Sequence, residues 1–239
     1  PDGLLYKISR ECTDKEREDF LKFVYNIDNI PGLLIPNKLL CYDSRIYGYT
    51  MNYIPKSLNI DEILTRLDEL KADPTFTLDV YEMIDIIFKI LNNIHKYFIF
   101  GDIRNENILC TENKLQFIDF DSGNLFDKKS MPTYYTPYVA GRILNKNTKL
   151  TDHIKAIITS LSICYGINIE HELAGYDFIT LIHLLKRINA NYNIVSYLEH
   201  IVNLSIDNAD NVDISFDEVI NHVNLPKEEE IMTLKRILL

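Results

Sequence analysis

Three polar residues near the middle of the chain have types and spacings that suit a chemical reaction. Asp102 is followed five residues later by Asn107, and Asp119 lies twelve residues beyond Asn107. Phosphoryl transfer needs a carboxylate that orients the attacking hydroxyl and oxygen ligands that hold Mg²⁺ on the phosphates. Because Mg²⁺ keeps several of its waters, one aspartate and one asparagine beside the phosphates are sufficient protein ligands. The alternative is that both aspartates cap loops and bind no metal.

The residues between these positions predict a hairpin that would hold them in place. Residues 108–110 and residues 117–118 are apolar, and a short turn at residues 111–114 separates the two runs. Apolar runs divided by polar turn residues are typical of two paired strands. The loops that flank this hairpin would then carry all three polar residues.

The first 54 residues predict a small β-rich unit with one helix. Thr13 and Glu16 have the spacing of a capping box, so a helix is expected from about residue 14 to residue 27. Pro55 ends the last strand of this unit. The predicted strands cover residues 4–9, 33–35, 38–42 and 45–53.

From residue 60 onwards the apolar residues recur at helical spacing, which predicts a mainly helical second unit. Residues 124–150 lack this periodicity, and we expect a functional loop there. The fold class predicted is α+β, with one lobe over residues 1–54 and a second over residues 55–239. The helices predicted cover residues 61–70, 77–97, 152–165, 172–188, 192–204, 215–222 and 226–239.

Composition excludes several classes of function. A chain of 239 residues with a net charge of −10 is a poor partner for nucleic acid, which binds basic surfaces. Its four cysteines are far apart and form no CxxC pair, so neither a disulfide framework nor a zinc site is expected. This pattern favours a reducing, cytoplasmic location. No apolar run has the length of a membrane span and no signal peptide is visible.

Several segments, in the correct order, resemble the protein kinase family over nearly the whole chain. Residues 101–109 (GDIRNENIL) resemble the catalytic loop HRDxKxxN, and residues 118–123 (IDFDSG) resemble the DFG metal site. Residues 49–54 (YTMNYI) resemble the hinge between the lobes, and residues 136–144 (TPYVAGRIL) resemble the end of the activation segment. Asp152 stands where the family has a structural aspartate. The resemblance implies a divergent Ser/Thr-type kinase fold that uses ATP and Mg²⁺.

The resemblance also assigns roles in the catalytic half of the site. It implies that Asp102 orients the acceptor hydroxyl, and that Asn107 and Asp119 bind Mg²⁺. Arg104 replaces the usual lysine and would contact the γ-phosphate as a planar fork. An alternative for Arg104 is a structural salt bridge.

The nucleotide-binding half is implied in the same way. Lys7 would bind the α- and β-phosphates and pair with an acidic residue on the first helix, with Glu18 as first choice and Glu16 as second. The alternative is that Lys7 is an ordinary surface lysine. The candidate adenine contacts are Met51 as gatekeeper, Leu109 beneath the ring, and the backbone near Asn52 and Tyr53.

The sequence departs from the kinase pattern at the phosphate lid. Only six residues precede Lys7, and none forms a glycine-rich loop. We expect either that upstream residues supply this loop or that the protein works without it. Asp121 also replaces the glycine of DFG.

Three functions follow from this combination of matches and departures. The first expectation is phosphorylation of Ser or Thr in a protein substrate, because residues 136–144 resemble a peptide-positioning segment. The second is a pseudokinase-type binding module that transfers no phosphate, which the missing lid favours. The third is a small-molecule kinase of the aminoglycoside type, which Gly101 and the IDFD sequence favour.

Overall fold

A small sheet with one helix precedes a hairpin and a series of helices along the chain. The computed structural model describes residues 3–8, 14–66, 69–70, 79–111, 114–125, 138–139, 142–143, 147–172, 178–190, 192–203 and 226–238. The predicted helix over residues 215–222, Thr13, and all of the segment at residues 136–144 except residues 138–139 and 142–143 lie outside this part of the chain.

The strands and helices have well-defined bounds. The strands are β1 (Leu4–Ile8), β2 (Lys38–Tyr42), β3 (Arg45–Asn52), β4 (Leu58–Asn59), β5 (Ile108–Thr111), β6 (Lys114–Phe117), β7 (Tyr138–Val139) and β8 (Arg142–Ile143). The helices are α1 (Lys15–Tyr25), α2 (Ile60–Thr65), α3 (Val80–Ile94), α4 (Lys149–Tyr165), α5 (Ile169–Glu172), α6 (Phe178–Arg187), α7 (Tyr192–Asn203) and α8 (Glu228–Leu238). Two short 3₁₀ turns cover Asn105–Asn107 and Phe120–Ser122.

The first sheet has the strand order β1-β3-β2 and is antiparallel throughout. Its register places Lys7 of β1 directly opposite Tyr49 of β3. Helix α1 packs against this sheet and buries Phe20, Leu21 and Val24. Its N-cap is Asp14, whose side chain accepts a hydrogen bond from the Arg17 amide, so the helix begins one residue later than predicted.

The predicted strand over residues 33–35 is wrong. Leu33 forms a single parallel bridge with Phe117, and the Leu34 amide donates to the Phe117 carbonyl at 2.9 Å. Pro36 lacks an amide hydrogen, so the pairing cannot continue along this segment. The segment instead connects the first sheet to the β5–β6 hairpin, because the Asn37 amide donates to the Thr50 carbonyl of β3 at 2.7 Å while Leu34 binds β6.

The hairpin predicted between the candidate catalytic residues is confirmed. Strands β5 and β6 pair from Ile108 opposite Phe117 to Thr111 opposite Lys114, and β4 extends the sheet beside β5. The Ile118 amide donates to the Asn107 carbonyl at 2.9 Å, so the two ends of the hairpin stay together.

Helices α3 and α4 form the centre of the larger unit. The predicted stripe of α3 is fully buried at Ile84, Ile87, Leu91 and Ile94. Helix α4 is buried along most of its length, and its N-cap is Thr148, whose side chain accepts a hydrogen bond from the Thr151 amide. It therefore starts a turn earlier than predicted.

Two other predicted helices have different bounds. Of the helix predicted over residues 61–70, α2 covers the part up to Thr65 and residues 69–70 are also helical. Of the helix predicted over residues 172–188, the structure describes Glu172, the last residue of α5, and α6 from Phe178 to Arg187. No helix in the described part of the chain is long and apolar enough to span a membrane.

Candidate active site

Asp152, a fully buried carboxylate on α4, binds the backbone of the loop before β5. Its Oδ1 accepts from the Gly101 amide at 2.9 Å, and its Oδ2 accepts from the Phe100 amide at 2.8 Å. The ring nitrogen Nε2 of His95 lies 2.9 Å from the same Oδ2. Asp152 therefore has the structural role that the resemblance implies, and the N-cap of α4 is Thr148.

Gly101 has a backbone conformation that this anchorage requires. Its φ is +83°, and a Cβ built on it would collide with the Ser122 carbonyl oxygen. The Gly101 carbonyl accepts a hydrogen bond at 2.9 Å from Lys155 Nζ, which is buried on α4. The residue before Asp102 is therefore fixed through both its amide and its carbonyl.

The next turn of the loop is held by an aspartate of α2. Asn105 Nδ2 donates to Asp61 Oδ1 at 3.0 Å, and Asn168 Nδ2 donates to the same oxygen at 2.6 Å. Burial raises the pKa of Asp61, and the Asn105 hydrogen bond opposes this rise. Sequence patterns gave no indication of these two contacts, because they join distant parts of the chain.

Asp102 and Asn107 form one hydrogen-bonded unit at this loop. Asn107 Nδ2 donates to the Asp102 carbonyl at 2.9 Å and to Asp102 Oδ2 at 3.0 Å. The Asp102 side chain is only 14% exposed, and Arg104 Nη2 lies 3.5 Å from its Oδ2. Burial is the largest cause that raises the pKa of Asp102, Asp119 adds to the rise, and Arg104 and Lys155 oppose it. The carboxylate is therefore a stronger proton acceptor than a solvated aspartate.

Asp119 lies at the other end of the hairpin, in a left-handed conformation with φ 62° and ψ 53°. Residues other than glycine adopt this conformation rarely, and it is frequent at functional sites. The Asp119 carboxylate forms an ion pair with Lys7 Nζ of β1. The two side chains are about one-third exposed, at 31% and 33%, so the pair lies at an accessible edge.

The chemistry of Asn107 and Asp119 fits the predicted magnesium site. The amide nitrogen of Asn107 is used by Asp102, which leaves its amide oxygen as an acceptor. Asp119 supplies a carboxylate, and Mg²⁺ prefers oxygen ligands of these two kinds. Among the described residues, no group of three or more His, Cys, Asp or Glu side chains is arranged to hold a metal ion.

The predicted ion pair between Lys7 and Glu18 is wrong. Glu18 Oε1 accepts from the Ile46 amide at 3.3 Å and lies 3.5 Å from Arg45 Nε, at the start of β3. Lys7 instead pairs with Asp119 and Asp121. Neighbouring helix residues point about 100° apart, so Glu18 on α1 faces the sheet and not the hairpin loop.

Glu16, the second choice, is exposed to solvent. The residue of α1 that does reach the loop is Arg17, whose Nη2 lies 3.1 Å from Asp121 Oδ2. A basic residue thus occupies the helical position from which an acidic one was expected to act.

Three of the candidate adenine contacts lie at the end of β3, and the fourth, Leu109, lies on β5. Met51 is 9% exposed and Leu109 is partly buried. Asn52 Oδ1 accepts from Asn37 Nδ2 at 2.6 Å, and the Tyr53 amide donates to the Gly3 carbonyl at 2.8 Å. The Tyr53 amide is therefore already used within the chain.

Two further residues near the loop were missed by sequence reasoning. Burial lowers the pKa of Lys155 and raises the pKa of Glu170 to about 7. Lys155 and Glu170 each interact electrostatically with Asp102, and both residues lie more than 45 positions after the loop at residues 101–109. Only the fold brings them to the site.

Comparison with known proteins supports a fold and not a closer relationship. No family model matches the sequence, and no curated protein matches it. The structure is similar to that of PK-1, the kinase of the Cydia pomonella granulovirus, with a TM-score of 0.57. The two share 14% sequence identity over 92% of this chain and 83% of that chain. The predicted fold class is confirmed, because the chain has a bilobal α+β fold of the kinase type.

Proposed function

We propose that the protein is an ATP- and Mg²⁺-dependent phosphotransferase that phosphorylates Ser or Thr in a protein substrate. One observation carries this proposal: the part-buried Asp102 carboxylate is hydrogen-bonded to Asn107 just before the β5–β6 hairpin, and Asp119 follows that hairpin by two residues. In the proposal, Asp102 is the proton acceptor, and Asn107 and Asp119 are two oxygen ligands of the kind that suits Mg²⁺. The fold similarity supports kinase-type chemistry at the same coarse level.

Asp102 acts on the acceptor hydroxyl in this proposal. The attacking oxygen must be held in line with the phosphoryl group, and a fixed carboxylate orients it through its proton. Because burial raises the pKa of Asp102, the carboxylate accepts that proton more readily. Its hydrogen bonds to Asn107 limit rotation of the side chain.

The other residues bind and orient the nucleotide. Lys7, already at the edge of the site beside Asp119, would bind the α- and β-phosphates. Asn107 and Asp119 would hold Mg²⁺, which neutralises phosphate charge when bound. Arg104 would contact the γ-phosphate, and Met51 and Leu109 would contact the adenine.

The lobes proposed for this arrangement are residues 1–54 and residues 55–239. The acceptor is a protein because the segment at residues 136–144 resembles one that positions peptides. Cys41, Cys110 and Cys164 are free thiols, which agrees with the proposed cytoplasmic location. A net charge of −10 disfavours nucleic acid as the main partner.

The test is phosphate transfer by wild type and by Asp102→Asn on a panel of protein substrates. Because the substituted amide cannot accept the proton, we expect kcat to fall by roughly 10²- to 10⁴-fold. Affinity for Mg²⁺·ATP should change little, since Asp102 acts on the acceptor.

The matched control is Asp85→Asn, which removes a carboxylate that pairs with Lys89 on the exposed face of α3. This variant should keep wild-type transfer. Equal transfer by wild type and Asp102→Asn would overturn the assignment of Asp102.

A second candidate is a binding module that transfers no phosphate. The Lys7–Asp119 ion pair favours it, because a lysine on a metal-binding carboxylate competes with the metal. A thermal shift with Mg²⁺·ATP and no transfer that depends on Asp102 would support this candidate. Transfer to an aminoglycoside or sugar, and to no protein, would instead identify a small-molecule kinase.

A further inference from the structure

The Asp121 carboxylate lies in the turn that follows β6, and it contacts three separate elements of the smaller lobe. Its Oδ2 lies 2.9 Å from Lys7 Nζ of β1 and 3.1 Å from Arg17 Nη2 of α1. Its Oδ1 accepts a hydrogen bond at 2.8 Å from the Tyr49 hydroxyl of β3. One side chain therefore accepts from a strand, a helix and a second strand.

Two of these three contacts, those with Arg17 and Tyr49, are shielded from water. The side chains of Asp121 and Arg17 are 23% and 14% exposed, so their ion pair is weakened less by solvent than a surface pair. Tyr49 is 1% exposed, and burial together with Asp121 raises the pKa of its hydroxyl. The hydroxyl therefore stays protonated and remains a donor to Asp121.

The residue before Asp121 strengthens the same junction by packing. The Phe120 ring stacks on Tyr49 with centroids 5.3 Å apart and meets the edge of Phe20 on α1 at 6.4 Å. Two consecutive loop residues thus contact both the helix and the sheet, one through its ring and one through its charge.

We propose that Asp121 is the residue that positions Lys7, in the role that was expected of Glu18 on helix α1. The helix contributes a cation, Arg17, and both cations share one carboxylate from the hairpin loop. The positions of α1, Lys7 and the loop that carries Asp119 are then coupled through a single side chain. This inference rests on the proposed function, because it gives Lys7 a nucleotide to bind.

The distribution of charge supports this role. Glu18 accepts a hydrogen bond from the Ile46 amide and forms an ion pair with Arg45, so its carboxylate contacts the start of β3 and not Lys7. The carboxylates paired with Lys7 are Asp119 and Asp121. If Asp119 binds a cation, its negative charge is partly neutralised and attracts the Lys7 ammonium less strongly. Asp121 is then the carboxylate that holds Lys7 in place.

The first experiment measures Mg²⁺·ATP affinity and the amide hydrogen exchange of residues 15–25 in Asp121→Asn. Loss of a carboxylate that accepts two charged donors should weaken nucleotide binding by about tenfold. The α1 amides should exchange faster even without nucleotide, since Arg17 loses its anion. Asp121→Glu, which keeps the charge, should retain most of the affinity.

The matched control is Asp19→Asn, which removes an exposed carboxylate from the same helix. We expect wild-type affinity and wild-type exchange from this variant. An equal effect of Asp19→Asn and Asp121→Asn would overturn the proposal, because it would show a general response to lost negative charge.

The decisive experiment moves the carboxylate from the loop to the helix. Arg17 and Lys7 bind the same Asp121 oxygen, so a glutamate at position 17 would lie close to Lys7. Asp121→Gly alone should weaken Mg²⁺·ATP binding, and Arg17→Glu combined with Asp121→Gly should recover it to within about threefold of wild type. If Asp121 acted only by stabilising the fold, the double variant would not recover Mg²⁺·ATP affinity, and this result would refute the proposal.

The possible failures are distinguishable. Wild-type protein that binds Mg²⁺·ATP but transfers no phosphate contradicts the proposed function, while affinity and hydrogen exchange still test Asp121. Unchanged affinity and unchanged α1 exchange in Asp121→Asn would refute the role of Asp121, whatever the transfer assay shows. If Asp121→Gly fails to fold, Tyr49→Phe provides the second test, with weaker binding expected and an unchanged affinity counting against the proposal.

Discussion

The substitution Asp152→Asn tests whether the buried carboxylate of α4 holds the Asp102 loop. The amide keeps the shape of the side chain but replaces one acceptor oxygen by an NH₂ donor. Its best orientation keeps the oxygen toward Phe100 and His95, which share Oδ2 in the native protein. The NH₂ group then faces the Gly101 amide, and two donors meet without an acceptor.

The expected loss of stability follows from this geometry. A hydrogen bond to a charged acceptor contributes about 1.5–3 kcal/mol, and an unsatisfied buried donor costs about 1–3 kcal/mol. We therefore expect the free energy of unfolding to fall by roughly 4 kcal/mol for this fully buried group. For a chain of this size each kcal/mol lowers Tm by about 2–4 °C, so Tm should fall by roughly 8–16 °C.

Urea unfolding and thermal unfolding would measure this loss, and a phosphate-transfer assay would show whether Asp102 is displaced. Asp85→Asn is the control, because its exposed pair with Lys89 should contribute less than about 1 kcal/mol. An unfolding free energy for Asp152→Asn within about 1 kcal/mol of wild type would refute the role given to Asp152. If Asp152→Asn is less stable but transfers phosphate at the wild-type rate, Asp152 stabilises the fold without positioning Asp102, and that part of the prediction is refuted.

Local patterns predicted most of the secondary structure. The hairpin over β5 and β6 and the buried stripe of α3 follow from the spacing of apolar residues. Helix starts were less accurate, because several polar residues near each start are chemically able to cap. Asp14 and Thr148 are the N-caps observed, and only the backbone geometry selects them.

The ion pairs of the site were harder to predict than its residues. The resemblance to kinases implies that an acidic residue on α1 lies near Lys7, but the sequence does not give the rotation of the helix about its axis. Moving by one residue turns the side chain by about 100°, which exchanges Glu18 for Arg17 at the loop. Asp121 was noted only as a departure from the DFG sequence, because its partners come from segments about 70 to 115 residues away.

Three remaining predictions concern the loop and its two aspartates. Gly101→Ala should destabilise the protein by about 1–3 kcal/mol in urea unfolding, since an alanine at this positive φ is strained and its Cβ meets Ser122. Asp119→Ala should abolish Mg²⁺-dependent ATP binding in calorimetric titration, and unchanged affinity would remove Asp119 from the site. The third prediction follows from the raised pKa of Asp102. Because the folded pKa exceeds the unfolded pKa, the contribution of this carboxyl to stability is present at low pH and is lost as pH rises through the folded pKa. Transfer needs the ionised carboxylate, so kcat/KM should rise over the same pH window in which this contribution falls. Asp102→Asn should therefore gain stability relative to wild type as pH rises above the ordinary aspartate pKa of about 4, while its residual transfer loses that pH dependence. A stability difference that stays constant as pH rises would contradict the partial burial of Asp102.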